Sequence, residues 1–212
     1  MKLIGMLDSP YVRRVAVSMH LLDLPFEHLS ISVHRQIPAF AAFNPVIKAP
    51  SFVTDDGTVL MDSTLILEHL EKLAGGRSLM PAKLADHTRA LRILGLALAA
   101  CEKSVQIVYE TALRPPERQH EPWLTRIHDQ LHQAYRLLET EIAAADPWLF
   151  GDQPGQADIT AAIAWRFTNS FLPGRMDATA HPALVTLSER AEALPAFQAC
   201  PPPEGGLPQR NA

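Results

Sequence analysis

The sequence predicts an α/β first half joined to an all-helical second half, on three observations. Leu3-Ile4-Gly5-Met6-Leu7 is an apolar run of strand length, closed by Asp8-Ser9-Pro10 and followed by helical spacing at Val12, Val15, Ala16, Met19 and Leu22. Phe26 to Val33 then alternates apolar and polar residues, and two further short β runs flank Asp55-Asp56-Gly57. Beyond residue 85 apolar residues recur at helical spacing and no convincing strand pattern remains.

Taken in order, the first strand stops where Asp8-Ser9-Pro10 supplies a turn, a candidate N-cap and a proline suited to the first helical position. A serine there stands beside the unpaired N–H groups and the positive end of a helix dipole, a favourable place for an anion. Leu24-Pro25 ends the helix, and the alternating segment after it completes a right-handed βαβ unit with parallel strands. Ile37 to Phe43 reads as a short helix closed by Asn44-Pro45. Ala49 to Thr54 and Thr58 to Met61 form a hairpin about Asp-Asp-Gly. Asp62-Ser63 opens a helix with Leu65, Ile66, His69, Leu70 and Leu73 on one stripe, stopped by Gly75-Gly76. Residues 1–75 thus read βαβ-α-ββα, a thioredoxin-like domain.

Residues 76–85 are the expected linker, and 86–200 the all-helical domain. A long helix runs from Asp86 to Leu113, ended by Arg114-Pro115-Pro116, and a second starts at Pro122. Gln156 to Phe171 is apolar nearly all round, which places it at the centre of that domain. Shorter helices follow from Pro182 and around Pro195-Ala196-Phe197, and residues 201–212 form a loose proline- and glycine-rich tail.

A chain of 212 residues with 47% hydrophobic and 20% charged residues can bury a sizeable core as one large domain or two small ones. Its net charge of -4 argues against a general nucleic-acid binder. No apolar run reaches membrane-spanning length and Met1-Lys2 runs straight into a strand, so neither a signal peptide nor an anchor is expected. Only Cys101 and Cys200 occur, far apart, which disfavours a disulfide framework or zinc site and fits a cytoplasmic protein. His128 and His132 have the i, i+4 spacing of two metal ligands, but a third is missing, and a solvated helix face is the expectation.

Four motifs carry a more specific signal by their order: Ser9-Pro10-Tyr11 at the first strand–helix junction, Lys48-Ala49-Pro50 ahead of the hairpin, Asp62-Ser63 after it, and Gly155-Gln156-Ala157-Asp158-Ile159 at the central helix. Together, over residues 2 to 200, they resemble the glutathione S-transferase superfamily, in particular bacterial members with serine at the active-site position. The resemblance implies a thioredoxin-like glutathione-binding domain, an all-α domain and a cytoplasmic homodimer. It also implies detoxifying conjugation of glutathione, used as co-substrate without metal, nucleic acid or membrane, to a small electrophile. It makes Ser9 the catalytic residue, its hydroxyl donating to the glutathione sulfur; otherwise Ser9 is an ordinary N-cap. Cysteine in its place would form a mixed disulfide, which serine cannot.

The resemblance makes Pro50 a cis-proline that leaves Ala49 free to pair with the tripeptide backbone, and gives Lys48 the glycyl carboxylate. It assigns the γ-glutamyl carboxylate to Ser63 and its helix N-terminus, and the ammonium to Asp62; both residues also serve as plain caps. Arg13 is a possible electrostatic neighbour of the sulfur, and His34, Arg35 and Gln36 lie where some relatives place a second contact to the carboxylate. Tyr11, Tyr109, Trp165 and Phe171 either line a second-substrate pocket or are plain core. With Gly155 in place of Ser or Thr, the cap around Asp158 lacks its reciprocal side chain. The alternatives are a non-catalytic binding or regulatory protein of this fold, or a glutathione-dependent isomerase, dehalogenase or peroxidase.

Overall fold

A computed structural model describes residues 1–203, which form two compact units: Met1–Leu79 with the described residues from Ala193 onward, and Met80–Glu192. The first contains a four-stranded sheet of β1 (Lys2–Ile4), β2 (Glu27–Leu29), β3 (Ser51–Val53) and β4 (Val59–Met61), in the order β2-β1-β3-β4. β1 runs parallel to β2, pairing Leu3 with His28, and antiparallel to β3, pairing Leu3 with Phe52. β3 and β4 make the hairpin, whose turn is closed by the amide of Thr54 on the carbonyl of Thr58 (3.0 Å) and allowed by Gly57 at φ +87°. The helices of this unit are α1 (Pro10–Leu21), α2 (Ile37–Ala41) and α3 (Ser63–Leu73). It is the thioredoxin-like fold expected from the sequence.

Several elements are shorter than their patterns. β2 stops at Leu29, although alternation continues to Val33, because it pairs only with the three residues of β1. The chain then turns at Ser32, whose side chain accepts the amides of His34 and Arg35 (3.2 Å each). α2 ends at Ala41, and the amide of Asn44 turns back to the carbonyl of Phe40 (3.0 Å).

The second unit is all helical: α4 (Leu84–Val108), α5 (Glu121–Ile142), α6 (Gln156–Phe171) and α7 (Pro182–Glu192). The long helix expected to Leu113 loses its α-helical geometry at Val108 and finishes as a π-helical turn, Tyr109–Leu113. α6 lies at the centre as expected, with Ile159, Ala161, Ala162 and Ala164 fully buried. Three hydroxyls link the helices: Ser104 of α4 lies 2.7 Å from Thr168 of α6, which lies 2.6 Å from the Tyr135 hydroxyl of α5. Tyr135 itself donates to the carbonyl of Ala164 (2.8 Å), so each hydroxyl can donate once, Ser104 to Thr168 to Tyr135 to Ala164. Burial holds the Tyr135 hydroxyl well above the ordinary tyrosine pKa, so it stays a donor. Glu139 of α5 accepts the amides of Ala183 and Leu184 and thereby caps α7 (2.7 and 3.0 Å).

At α6 the missing serine or threonine is compensated from one side. Asp158 accepts the amide of Gly155 (2.9 Å) and that of Leu149 (3.0 Å), and burial pushes its carboxyl pKa up against those two bonds. The segment from Ala193, expected as the last part of the all-helical domain, groups with the first unit, where its α8 (Pro195–Gln198) packs on α1. The cause is Arg13, whose Nε donates to the carbonyl of Cys200 (2.8 Å) and whose guanidinium lies 5.4 Å from the Phe197 ring centre. Of the expected tail, 204–212 lies outside the described residues, and 201–203 has no regular structure.

Tyr135→Phe removes the acceptor of the buried Thr168 hydroxyl and the side-chain donor to the carbonyl of Ala164, and should cost roughly 1–3 kcal/mol. Urea unfolding followed by circular dichroism checks this; an unchanged midpoint would mean that the hydroxyl chain adds nothing to stability.

Candidate functional site

The site is built on the end of β1. Gly5, at φ +138°, sits where three segments close on one another: a Cβ there would lie 2.6 Å from Val12 Cγ2 and 3.2 Å from the Ala49 side chain. Only glycine suits both the backbone and the space, so the start of α1 and the loop before β3 are drawn to one point. Ser9 is the N-cap of α1 by position, with φ -70° and ψ 124°, yet its side chain makes no capping hydrogen bond. Its carbonyl accepts the amide of Arg13 (3.0 Å), and Pro10 occupies the first helical turn. The half-buried Ser9 hydroxyl is therefore not consumed by the helix it starts.

Beside it, burial pushes the Asp8 carboxyl pKa up, opposed by the amide of Ser9 and the positive charges of Arg35 and His34. The loop held by Ser32 thus brings His34 and Arg35 next to the Asp8–Ser9 turn, a register the sequence left open. Arg35 also reaches the sulfur of Met6 (3.9 Å).

The loop before β3 is organised by Asn44, buried and missed by the sequence reading. Its Nδ2 donates to the hydroxyl of Ser51 (2.8 Å), which donates to the carbonyl of Lys48 (2.8 Å), and its Oδ1 accepts the amide of Val46 (3.0 Å). Within the loop so fixed, the Ala49–Pro50 bond is cis, Pro50 is buried and Lys48 is exposed. Asn-Pro punctuation marked the turn, but only the fold shows that the side chain spans it.

At the head of α3, Asp62 is the N-cap and its Oδ1 accepts the amide of Thr64 (2.9 Å). It does so at φ 72° and ψ 122°, a conformation costly for any residue with a side chain and of the kind that collects at functional sites. Ser63 is buried, and its hydroxyl accepts from Nη1 of Arg14 (3.1 Å), which also reaches the Thr64 hydroxyl (3.2 Å). The cation that supports the site is therefore Arg14. Arg13, singled out from the sequence, turns to Cys200 instead. Adjacent arginines on one helix point about 100° apart, and sequence does not say which direction meets α3.

Of the expected second-substrate residues, Trp165 and Phe171 each pack against another aromatic ring of the helical unit. Trp165 is core: it is buried in the helical unit, edge-on to Tyr135 (5.3 Å between ring centres) and 5.4 Å from His181. Phe171 packs on Phe167 (4.7 Å). Tyr109 is 43% exposed at the π-helical turn, and Tyr11 is half-buried on α1 in the other unit. His128 is half-buried and His132 exposed, and no metal-binding group of three side chains is gathered among the described residues. Both cysteines are buried and neither is in a disulfide, and burial raises the Cys200 thiol to about 11.

Residues 3–78 match the family model of the glutathione S-transferase N-terminal domain and residues 121–190 that of the C-terminal domain. The chain belongs to the glutathione S-transferase superfamily. It is 28% identical over 204 residues to the uncharacterized GST-like protein YibF of Escherichia coli K12, covering 96% of this chain and 100% of that one. It is also 28% identical over 214 residues to a maleylacetoacetate isomerase of Pseudomonas aeruginosa, covering 95% and 96%. Among solved structures, a Methylobacterium radiotolerans glutathione S-transferase in complex with glutathione sulfonate superposes with a TM-score of 0.89 at 25% identity, covering 100% and 99%. A Pseudomonas fluorescens Pf-5 family member with bound S-(propanoic acid)-glutathione gives 0.81 at 28%, covering 97% and 99%.

Two outcomes follow from this geometry. Asp62→Gly should be nearly neutral for stability, since glycine relieves the backbone while losing the cap. Asp62→Ala loses the cap and keeps the strain, and should be less stable than the glycine variant by about 2 kcal/mol in thermal or urea unfolding. Neither thiol should react with a disulfide reagent at pH 8 until the protein is unfolded, when both should appear; fast labelling of the folded protein would show that the Cys200 segment opens.

Proposed function

We propose that the protein is a glutathione transferase, binding glutathione on its first unit and using the thiolate against a small hydrophobic electrophile. The observation that carries this reading is the Ser9 hydroxyl, unspent at the N-terminus of α1. The same unit holds the Ala49–Pro50 edge and the Asp62–Ser63 helix start. The glutathione derivatives bound by the similar solved proteins support the same choice of ligand.

In this reading Ala49 meets the cysteinyl backbone, Lys48 the glycyl carboxylate, and Arg35 adds positive charge nearby, with His34 beside it. Ser63 and the first turn of α3 take the γ-glutamyl carboxylate, as helix N-termini take anions generally, and Asp62 meets the ammonium group. Arg14 acts indirectly by holding Ser63 and Thr64.

Ser9 then acts on the sulfur. A free thiol has a pKa near ~8.5, and lowering it by ~2 requires about 2.7 kcal/mol. A hydrogen bond to a charged sulfur contributes roughly 1.5–3 kcal/mol, and the helix N-terminus ~0.3–1 kcal/mol. The two together cover the shift, so catalysis consists of thiolate fraction and positioning, without a buried general base.

The likeness to a maleylacetoacetate isomerase supports a second reading, in which the thiolate adds to a conjugated double bond, the bond rotates, and elimination returns the thiolate. The two readings differ in balance: conjugation consumes one glutathione per turnover and isomerisation none.

The protein should be retained on immobilised glutathione and elute with free tripeptide; flow-through would remove the binding reading. Ser9→Ala should lower conjugation of 1-chloro-2,4-dinitrobenzene about tenfold or more, while Ser9→Cys should gain reduction of mixed disulfides. An unchanged rate in Ser9→Ala would assign thiolate stabilisation to another group.

A further inference from the structure

A thiol that ionises beside Ser9 gives up a proton, and a serine hydroxyl that donates to the sulfur is far too weak a base to take it. The first unit places one acidic side chain next to that hydroxyl. Asp8 immediately precedes Ser9, in the turn that the amide of Ser9 closes on the carbonyl of Met6 (3.2 Å), and it is half-buried. Asp62, the other acid of the proposed site, already accepts the amide of Thr64 (2.9 Å) as a helix cap.

The charged groups that face Asp8, Arg35 and His34, both come from the loop after β2. The Ser32 hydroxyl accepts both of their amides (3.2 Å each), and the Arg35 guanidinium reaches the sulfur of Met6 (3.9 Å), two residues before Asp8. On its own segment Asp8 has the backbone amides of Ser9 and of itself. All of these favour the carboxylate, yet burial outweighs them, and the carboxyl keeps its proton to a higher pH than an ordinary aspartate. A thiolate at Ser9 shifts this balance further the same way. It sets a second negative charge beside the first, and two anions in one partly dry site do not both ionise freely but share a proton.

We propose that Asp8 is the proton store of the site: as glutathione binds, the S–H bond breaks, its electron pair stays on sulfur, and the proton passes to a carboxylate oxygen of Asp8 instead of to solvent. This rests on the glutathione reading and adds to it the fate of the proton. It also selects a class of electrophile. Addition to an α,β-unsaturated carbonyl forms the S–C bond at the β-carbon and sends the π pair to the α-carbon, which must then gain a proton. Asp8 returns the one it holds and is a carboxylate again. Displacement of chloride from an aromatic ring needs no proton on carbon, and there Asp8 loses its proton to solvent.

The test counts both halves of the ionisation at neutral pH in the full wild-type chain saturated with glutathione. Thiolate formed is read from its ultraviolet absorbance, and protons released from titration calorimetry in two buffers of different ionisation enthalpy. Thiolate should exceed released protons by about twofold or more. Asp8→Asn should bring the two counts together, and His34→Gln, which removes the other titratable group facing Asp8, should leave the excess in place. Asp8→Asn should also slow addition to 4-phenyl-3-buten-2-one at least about fivefold more than displacement on 1-chloro-2,4-dinitrobenzene. Equal counts in the wild type decide against the proposal whether or not a variant folds. An excess that survives Asp8→Asn, one that vanishes in His34→Gln, or equal slowing of the two reactions would also overturn it while leaving glutathione binding intact; no binding of glutathione would overturn both.

Discussion

A guanidinium taken out of water must find acceptors in fixed positions, and in this protein that requirement aligns two helix N-termini. Arg14 is only 2% exposed, and it rises from the first turns of α1 to the hydroxyls of Ser63 and Thr64 at the start of α3. The spacing between the Ser9 turn and the Ser63 turn is therefore set by a short polar link as well as by apolar packing. Gly5 adds the third constraint, because the missing Cβ lets the loop at Ala49 approach β1 and Val12. Ser9, Ala49 and Ser63, assigned to the proposed tripeptide site, stand on these tied segments.

The same helix explains where the chain ends up. α1 buries Val12, Val15, Val17 and Met19 along with both arginines and Ser18, so it is covered on nearly all sides within its unit. Arg13 provides part of that cover by holding the Cys200 carbonyl and lying over Phe197. Cys200 is consequently a buried thiol of raised pKa rather than a reactive one.

The helical unit is held by different means. Its centre is apolar, but the three-hydroxyl chain and the Glu139 cap give its helices fixed relative positions that apolar contact alone specifies less sharply. The aromatic residues divide accordingly. Trp165 packs edge-on within this core, whereas Tyr109 and Trp123 stand at the rim of a cavity beside the π-helical turn. Helical spacing marks an aromatic as lying on a face, but not whether that face meets another helix or a hollow.

By itself the sequence determined the order of elements, the hairpin at Asp-Asp-Gly, the central place of Gln156 to Phe171 and the family resemblance through Ser9, Pro50 and Asp62-Ser63. These are legible because turn chemistry and hydrophobic period act over a few residues. Only the tertiary structure decided which of two adjacent arginines supports Ser63, that Asn44 spans the loop before Pro50, and that Ala193 to Cys200 returns to the first unit. Those outcomes depend on side chains meeting partners far along the chain, and a one-residue rotation about a helix axis, invisible to local pattern, is enough to exchange one partner for another.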